Sequence, residues 1–254
     1  MKTWILIPAR LGSSRLPRKP LADIEGRPMV IRVLDQCLKA SAHRVIVATD
    51  SEEVAQCVEG FGYEAIMTRS DHVSGTDRLA EAAARLHIPD DDIVVNVQGD
   101  EPLIEPELIN ALVDKLASAP EAAMATAAHP LDDPVGIHSP HVVKLVLNHR
   151  DEAMYFSRAT IPFDRDQRRE GLGEALLRHV GIYAYRLPFL QSFPNLASPA
   201  LEQLEALEQL RALWHGYRIS VYRMEAAAPP GVDTAEDLEH VRALVRKRLQ
   251  KRAN

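Results

Sequence analysis

The chain reads as an α/β protein built on a doubly wound, mostly parallel sheet, with a smaller sub-domain inserted. Three observations predict this. Short apolar runs rich in β-branched residues recur through the first half, at "TWILIPA" (3–9), "RVIVAT" (44–49) and "DIVVNV" (92–97). They are continuous rather than alternating, as strands covered on both faces are. Helix-patterned segments separate them. "PMVIRVLDQCLKA" has Pro28 at a position compatible with a first helical turn, and "SEEVAQCVEGF" has Ser51 as its N-cap. Strand–helix–strand repetition of this kind produces a parallel sheet, whose ligands bind at the carboxyl ends of the strands. Those ends deliver Arg10, Asp50 and Asp100.

The middle of the chain changes character. "VVKLVLN" (142–148), "AMYFSRATIPF" (153–163) and "HVGIYAYR" (179–186) are strand-like, with a charged, glycine-containing stretch at 164–174 between the last two. This part is read as an insertion or lid. "LEQLEALEQLRALW" (201–214) predicts one continuous helix whose leucines pack on the core or a partner subunit. Residues 234–250 predict a terminal helix, and its basic run from Arg246 to Arg252 opposes the negative pole of the helix dipole.

The 254 residues are 46% hydrophobic, ample for a sizeable core, and carry a formal net charge of −6. That balance argues against general nucleic-acid binding. No apolar stretch is long enough to span a bilayer, and the first residues lack a secretory pattern, so a cytoplasmic protein is expected. The two cysteines, Cys37 and Cys57, match no metal or redox motif and are expected to be buried thiols.

Against this acidic background the loop after the first strand stands out. "IPARLGSSRLPRKP" places Arg10, Arg15, Arg18 and Lys19 within ten residues, with no acidic residue before Asp23. Crowded like charges repel, so an anion is expected among them. The loop matches neither the dinucleotide fingerprint nor the P-loop. Its Gly12 frees backbone N–H groups to turn, its Ser13 and Ser14 supply hydroxyls, and its cations complete the donors a triphosphate requires.

Three further stretches offer chemistry. "NVQGDEP" (96–102) ends a strand in Gln98, Gly99 and two carboxylates. Asp100 is placed either to start a helix or to hold a hard cation such as Mg²⁺, which takes few carboxylates and keeps several waters. "GVDTAEDL" (231–238) is a helix start capped by Asp233 or Thr234, or else a second carboxylate for the same metal; spacing does not separate these readings. "DHVSGTDR" (71–78) caps a helix through Ser74 or Thr76, or uses its backbone and Arg78 to read a nucleobase edge. No histidine lies in a metal-ligand motif. Alternation along 179–186 puts His179, Gly181, Tyr183 and Tyr185 on one face, suited either to a hydroxylated ligand or to the core.

Taken in order, "IPARLGSSRLPRKPL", "DHVSGTDRLAE", "VNVQGDEP", "YFSRATIPFDRD", "HVGIYAYR", "LEQLEALEQLRALWHG" and "GVDTAEDL" resemble the 3-deoxy-manno-octulosonate (Kdo) cytidylyltransferase family, from Ile5 to about Leu244. The resemblance implies a nucleotide-sugar transferase fold, usually a homodimer, with a nucleotide-binding half at 1–128, a sugar-binding and dimerisation sub-domain at 129–222, and a C-terminal return at 223–254. It implies CTP along Ala9, Arg10, Gly12, Ser13, Arg15 and Lys19, with Ser74, Gly75 and Arg78 near cytosine. It implies Mg²⁺ on Asp100 and Asp233, and Kdo on Gln98, Arg158, His179, Tyr183, Glu202 and Glu205. Arg10, Lys19, Asp100 and Asp233 would carry the catalysis. The implied partners are the two small-molecule substrates, with neither nucleic acid nor membrane.

Overall fold

The computed structural model describes residues 1–12, 15–72, 74–166 and 175–253. The chain divides into two compact units, Met1–Asn110 with Pro229–Asn254, and Ala111–Ala228.

The first unit opens with β1 (Thr3–Ala9), followed by a small hairpin of β2 (Asp23–Ile24) and β3 (Arg27–Pro28). Glu25 and Gly26 turn this hairpin with φ of 51° and 80°, the left-handed pair that a tight two-residue turn demands. Then come α1 (Met29–Cys37), β4 (Arg44–Thr49), α2 (Glu52–Gly60), β5 (Glu64–Met67), α3 (Gly75–Arg85) and β6 (Ile93–Asn96). The strands lie in the order β6–β1–β4–β5, all parallel, with Ile5 paired to both Val45 and Val95. Ile5, Leu6, Ile7, Val47, Val94 and Val95 are fully buried, which is why these runs carry no polar alternation. Strand order reverses beside β1, and this switch point leaves a crevice at the carboxyl ends of β1 and β6.

Local chemistry sets the helix starts. The Ser51 hydroxyl accepts from the Val54 N–H at 3.3 Å and caps α2, as its position in the sequence predicts. Pro28, expected in the first turn of α1, is instead the residue just before it, with an extended ψ of 146°.

The chain continues through α4 (Pro106–Ala117) into the second unit. There β7 (Ala122–Pro130), α5 (Pro134–His138), β8 (Lys144–Leu147), β9 (Ala153–Ser157), β10 (Leu177–Arg186), α6 (Leu187–Ser192), α7 (Ala200–Glu205), α8 (Gln209–Trp214) and β11 (Arg218–Arg223) follow in order. β7 lies between β11, parallel to it, and β10, antiparallel; β8 pairs with β10 and β9.

Several expectations are corrected here. The strand predicted over 153–163 stops at Ser157. The single helix predicted over 201–214 is two short ones. Ala206 takes the left-handed conformation (φ 49°, ψ 52°) and ends α7. The break lets Leu207 and Leu210 reach the core while Leu204 stays 83% exposed, so the leucines do not form one packed stripe. Cys37 is buried, but Cys57 is only half-buried; both are free thiols.

The last helix, α9 (Ala235–Ala253), belongs to the first unit. Leu238, Val241 and Val245 pack with Ile24, Met29, Leu103 and Val232. Arg246 donates to Glu25 at 2.7 Å, so the terminal basic run meets a specific partner as well as a helix dipole. No helix among the described residues is long and apolar enough to cross a membrane.

Candidate functional site

The crevice of the first unit collects the predicted cations and carboxylates. β1 delivers Arg10, and β6 runs on to Gln98, Gly99 and Asp100. Gly99 lies so close to β1 that a Cβ there would meet the Pro8 carbonyl oxygen at 2.9 Å. Only glycine permits this approach without moving backbone. The returning segment before α9 is laid on the same strand end by Val232 N–H, which donates to the Asp100 carbonyl at 2.9 Å. A Cβ on Gly231 would meet the Glu101 carboxylate at 2.8 Å. Two glycines and one backbone hydrogen bond therefore bring Asp100 and Asp233 together.

The cap of α9 is Thr234. Its hydroxyl accepts from Asp237 N–H at 3.2 Å, and the Asp237 carboxylate accepts from Thr234 N–H at 2.9 Å, a reciprocal capping box. Asp237 also accepts from Asp233 N–H at 3.0 Å. Asp233 is thereby relieved of capping, and its carboxylate turns to the cations.

Lys19 is the hub. Its Nζ donates to Asp100 Oδ2 at 2.6 Å and to Asp233 Oδ1 at 2.9 Å. Its side chain is 13% exposed, against 33% for Asp100 and 53% for Asp233. Burial alone would lower the lysine pKa, but Asp100 first and Asp233 next more than offset it, and the ammonium ends above its ordinary value. Arg15 donates to Asp233 at 3.1 Å, and Arg18 pairs with Glu53. Among the described residues Arg10 has no ion-pair partner, and it is exposed. The loop cations are thus less isolated than the sequence suggests: three of them meet carboxylates brought from distant segments.

Other predicted residues divide in their placement. Ala9 is buried in β1, and Gly12 is exposed with open space where a Cβ would stand. Ser13 and Ser14 lie outside the described residues, as does most of the 164–174 stretch. Ser74 caps α3, accepting from Asp77 N–H at 3.1 Å, and Gly75 packs against Pro8. Arg78, expected to face a nucleobase, is buried as a brace: it donates to Asp50 at 2.7 Å and to the Thr68 hydroxyl at 2.5 Å. Gln98 donates to Asn96 at 3.2 Å.

In the second unit, the Arg158 Nε and Nη1 donate to the carbonyls of Glu205 and Pro140 at 2.6 and 2.9 Å. The Glu205 carboxylate accepts from the Ser157 hydroxyl at 2.6 Å and from Arg158 N–H at 2.8 Å. Glu202 is buried in a two-pronged pair with Arg211, at 2.8 and 2.5 Å. Lys144, which the sequence did not flag, is fully buried and donates to the carbonyls of Ser139, Val142 and Arg158. It ties the loop before β8 to the end of β9.

His179 and Tyr183 lie on β10, but simple alternation does not hold there. A bulge falls between Val180, opposite Ala127, and Tyr183, opposite Thr126. Gly181 and Ile182 fall in the bulge, where the pairing with β7 slips. The His179, Tyr183 and Tyr185 rings still follow one another, at centroid distances of 5.5 and 5.9 Å. Burial pushes the His179 imidazole down to about 3, so it is neutral at working pH. Burial also raises the Tyr183 phenol, which stays protonated.

Comparison with known proteins supplies the family. A model of the cytidylyltransferase family matches residues 4–219. A 3-deoxy-manno-octulosonate cytidylyltransferase of Verminephrobacter eiseniae is 54% identical, covering 95% of this chain and 93% of its own. One of the same name from Polynucleobacter asymbioticus is also 54% identical, covering 95% and 94%. A solved CMP:2-keto-3-deoxy-manno-octonic acid synthetase complexed with CTP superposes with a TM-score of 0.91 at 44% identity, covering 98% of this chain and all of that one. A cytidylyltransferase of Leptospira borgpetersenii, at 18% identity and a TM-score of 0.65, shares the fold. A parallel sheet ending in a cation-and-carboxylate crevice, and likeness over nearly the whole chain, place this protein in the 3-deoxy-manno-octulosonate cytidylyltransferase family.

Proposed function

We propose that the chain transfers CMP from CTP to the anomeric hydroxyl of Kdo. That oxygen gives up its proton to solvent and bonds to the α-phosphorus, the bond from the α-phosphorus to the bridging oxygen breaks, and pyrophosphate leaves. The product, CMP-Kdo, supplies lipopolysaccharide assembly. The observation that carries the reading is the convergence of Lys19, Asp100 and Asp233 at the ends of parallel strands, in a chain whose relatives bear this name.

The carboxylate pair fits a hard divalent cation. One ammonium already meets an oxygen from each, so a single cation can engage both side chains. Two carboxylates with several waters suit Mg²⁺. Bound on Asp100 and Asp233, Mg²⁺ supplies charge neutralisation and polarisation of the phosphoryl group. The chain's own part is positioning. Arg10, Gly12, Ser13, Arg15 and Lys19 meet the phosphates, and Ala9, Ser74, Gly75 and Arg78 form the surroundings of the nucleoside. Arg78 acts through its brace on Asp50 rather than as a free donor. Lys19 acts as a point charge on a flexible stem, long enough to serve the triphosphate once a cation takes the carboxylates.

Recognition of Kdo by the second unit is assigned to Arg158, His179, Tyr183, Glu202 and Glu205. Glu202 and Glu205 serve by holding Arg211 and Arg158 in place. The family's homodimer is supported by large apolar side chains left exposed on the second unit, Phe163 and Leu204 at 83% and Trp214 at 63%. A sub-domain at 129–222 would then carry both sugar recognition and dimerisation. A cytoplasmic site of action agrees with the free thiols.

The test is pyrophosphate release from CTP and Mg²⁺ with a panel of sugar acids. Kdo should be preferred over sialic acid and over amino-substituted Kdo. Release with sialic acid alone would overturn the assignment of substrate.

A further inference from the structure

β7, "AAMATAAHP", is mostly alanine and carries one hydroxyl, that of Thr126. Thr126 is fully buried between β10 and β11, so the hydroxyl must find its partners inside the protein. The β10 bulge provides them. The threonine Oγ1 lies 2.8 Å from the Ile182 carbonyl oxygen and 3.2 Å from that of Val180. Both are acceptors only, and a hydroxyl has a single proton to give. That proton goes to a carbonyl, by distance Ile182.

The third neighbour of Oγ1 is His179 Nε2, at 2.9 Å. With its proton spent, the threonine can only accept from that nitrogen. A short contact between Nε2 and an oxygen that cannot donate requires a proton on Nε2. The imidazole is neutral, so it has one N–H and one bare nitrogen. The ring has little room to turn, with Phe156 edge-on at 5.0 Å and Tyr183 at 5.5 Å.

We propose that Thr126 is a positioning residue that fixes His179 as its Nε2–H tautomer, leaving Nδ1 as a hydrogen-bond acceptor for a hydroxyl of the sugar acid. The second clause rests on the reading that His179 meets Kdo. A sugar acid is rich in hydroxyl donors, whereas the opposite tautomer would offer it an N–H better suited to a carboxylate. The bulge is what makes the device possible, because it directs two carbonyls at one hydroxyl and so dictates which way that hydroxyl points.

Long-range ¹H–¹⁵N spectra of the full chain, labelled with ¹⁵N-histidine and assigned by comparison with His179→Gln, read the tautomer directly. The wild type should show a protonated Nε2 and a bare Nδ1 at neutral pH. Thr126→Val, which keeps the shape and removes the hydroxyl, should shift His179 toward a mixture of tautomers. Thr126→Ser should restore the wild-type pattern. The Thr126→Val variant should raise KM for Kdo about tenfold, the loss expected for one hydrogen bond, with KM for CTP unchanged. A wild-type His179 protonated on Nδ1 overturns the proposal without recourse to any hydroxyl variant, as does an unchanged tautomer in Thr126→Val. A shifted tautomer with an unaltered KM for Kdo upholds the role of Thr126 and overturns the reading that His179 meets the sugar acid.

Discussion

Lys19→Met probes the carboxylate pair, since methionine keeps most of the length and apolar stem of lysine and removes the charge. In the wild type a solvent cation must first displace an ammonium held at 2.6 and 2.9 Å. A charge-assisted hydrogen bond contributes about 1.5–3 kcal/mol when shielded, and an exposed ion pair under about 1 kcal/mol. Asp100 and Lys19 are largely sheltered while Asp233 is about half exposed, so the first contact takes the low end of its range and the second about 0.5 kcal/mol. Their combined hold of about 2 kcal/mol corresponds to roughly thirtyfold in a dissociation constant. Lys19→Met should therefore bind Mn²⁺, a spectroscopic substitute for Mg²⁺, roughly thirtyfold more tightly than the wild type without nucleotide. Electron paramagnetic resonance of the free ion measures this. The metal-free variant leaves two carboxylates facing one another, so its melting temperature should fall and recover with Mn²⁺. An unchanged Mn²⁺ affinity in Lys19→Met, while Asp100→Asn still abolishes Mn²⁺ binding, would refute the idea that the lysine occupies the cation's place.

Other expectations follow from the same geometry. Asp100→Asn and Asp233→Asn should each lower turnover by roughly 10²–10³ with circular dichroism unchanged, the usual cost of an electrostatic group at a reacting centre. Wild-type turnover in either would remove that residue from the site. Arg158→Ala and His179→Ala should weaken use of Kdo while leaving CTP affinity unaltered by calorimetry; a large loss of CTP affinity would reverse the assignment. The His179 imidazole falls to about 3 on folding, so the unfolded chain binds the extra proton between its ordinary value and that point. This contribution to stability is complete above the ordinary histidine value of about 6.5 and is lost as pH falls toward about 3, at up to about 1.4 kcal/mol per pH unit. Urea titrations between pH 7 and 4 should show a shallower decline for His179→Gln, and parallel curves would count against it.

The amino-acid order by itself determined the framework of the first unit. β1, β4 and β6 are legible because burial on both faces selects uninterrupted apolar runs, and Ser51 and Thr234 lie where a helix start needs a side-chain acceptor. The placement of Arg10 and Asp100 was legible because a parallel sheet sends its strand ends to one side, whereas the spacing around Asp233 did not separate a helix cap from a second carboxylate of the crevice. β7 was not. Alanine favours helices in isolation, and only flanking strands on both sides hold "AAMATAAHP" extended. The break at Ala206 was also hidden, because a leucine pattern registers apolar spacing and not the left-handed residue that redirects the chain. The partners of charges were decided by tertiary structure alone. Lys19 is 81 residues from Asp100 and 214 from Asp233, and close approaches at Gly99 and Gly231 with the Val232 hydrogen bond help to lay the two carboxylates side by side. In the sequence the opening loop is a cluster of unrelieved cations. In the fold it is mostly neutralised by distant carboxylates, because electrostatic attraction depends on separation in space and has no regard for separation along the chain.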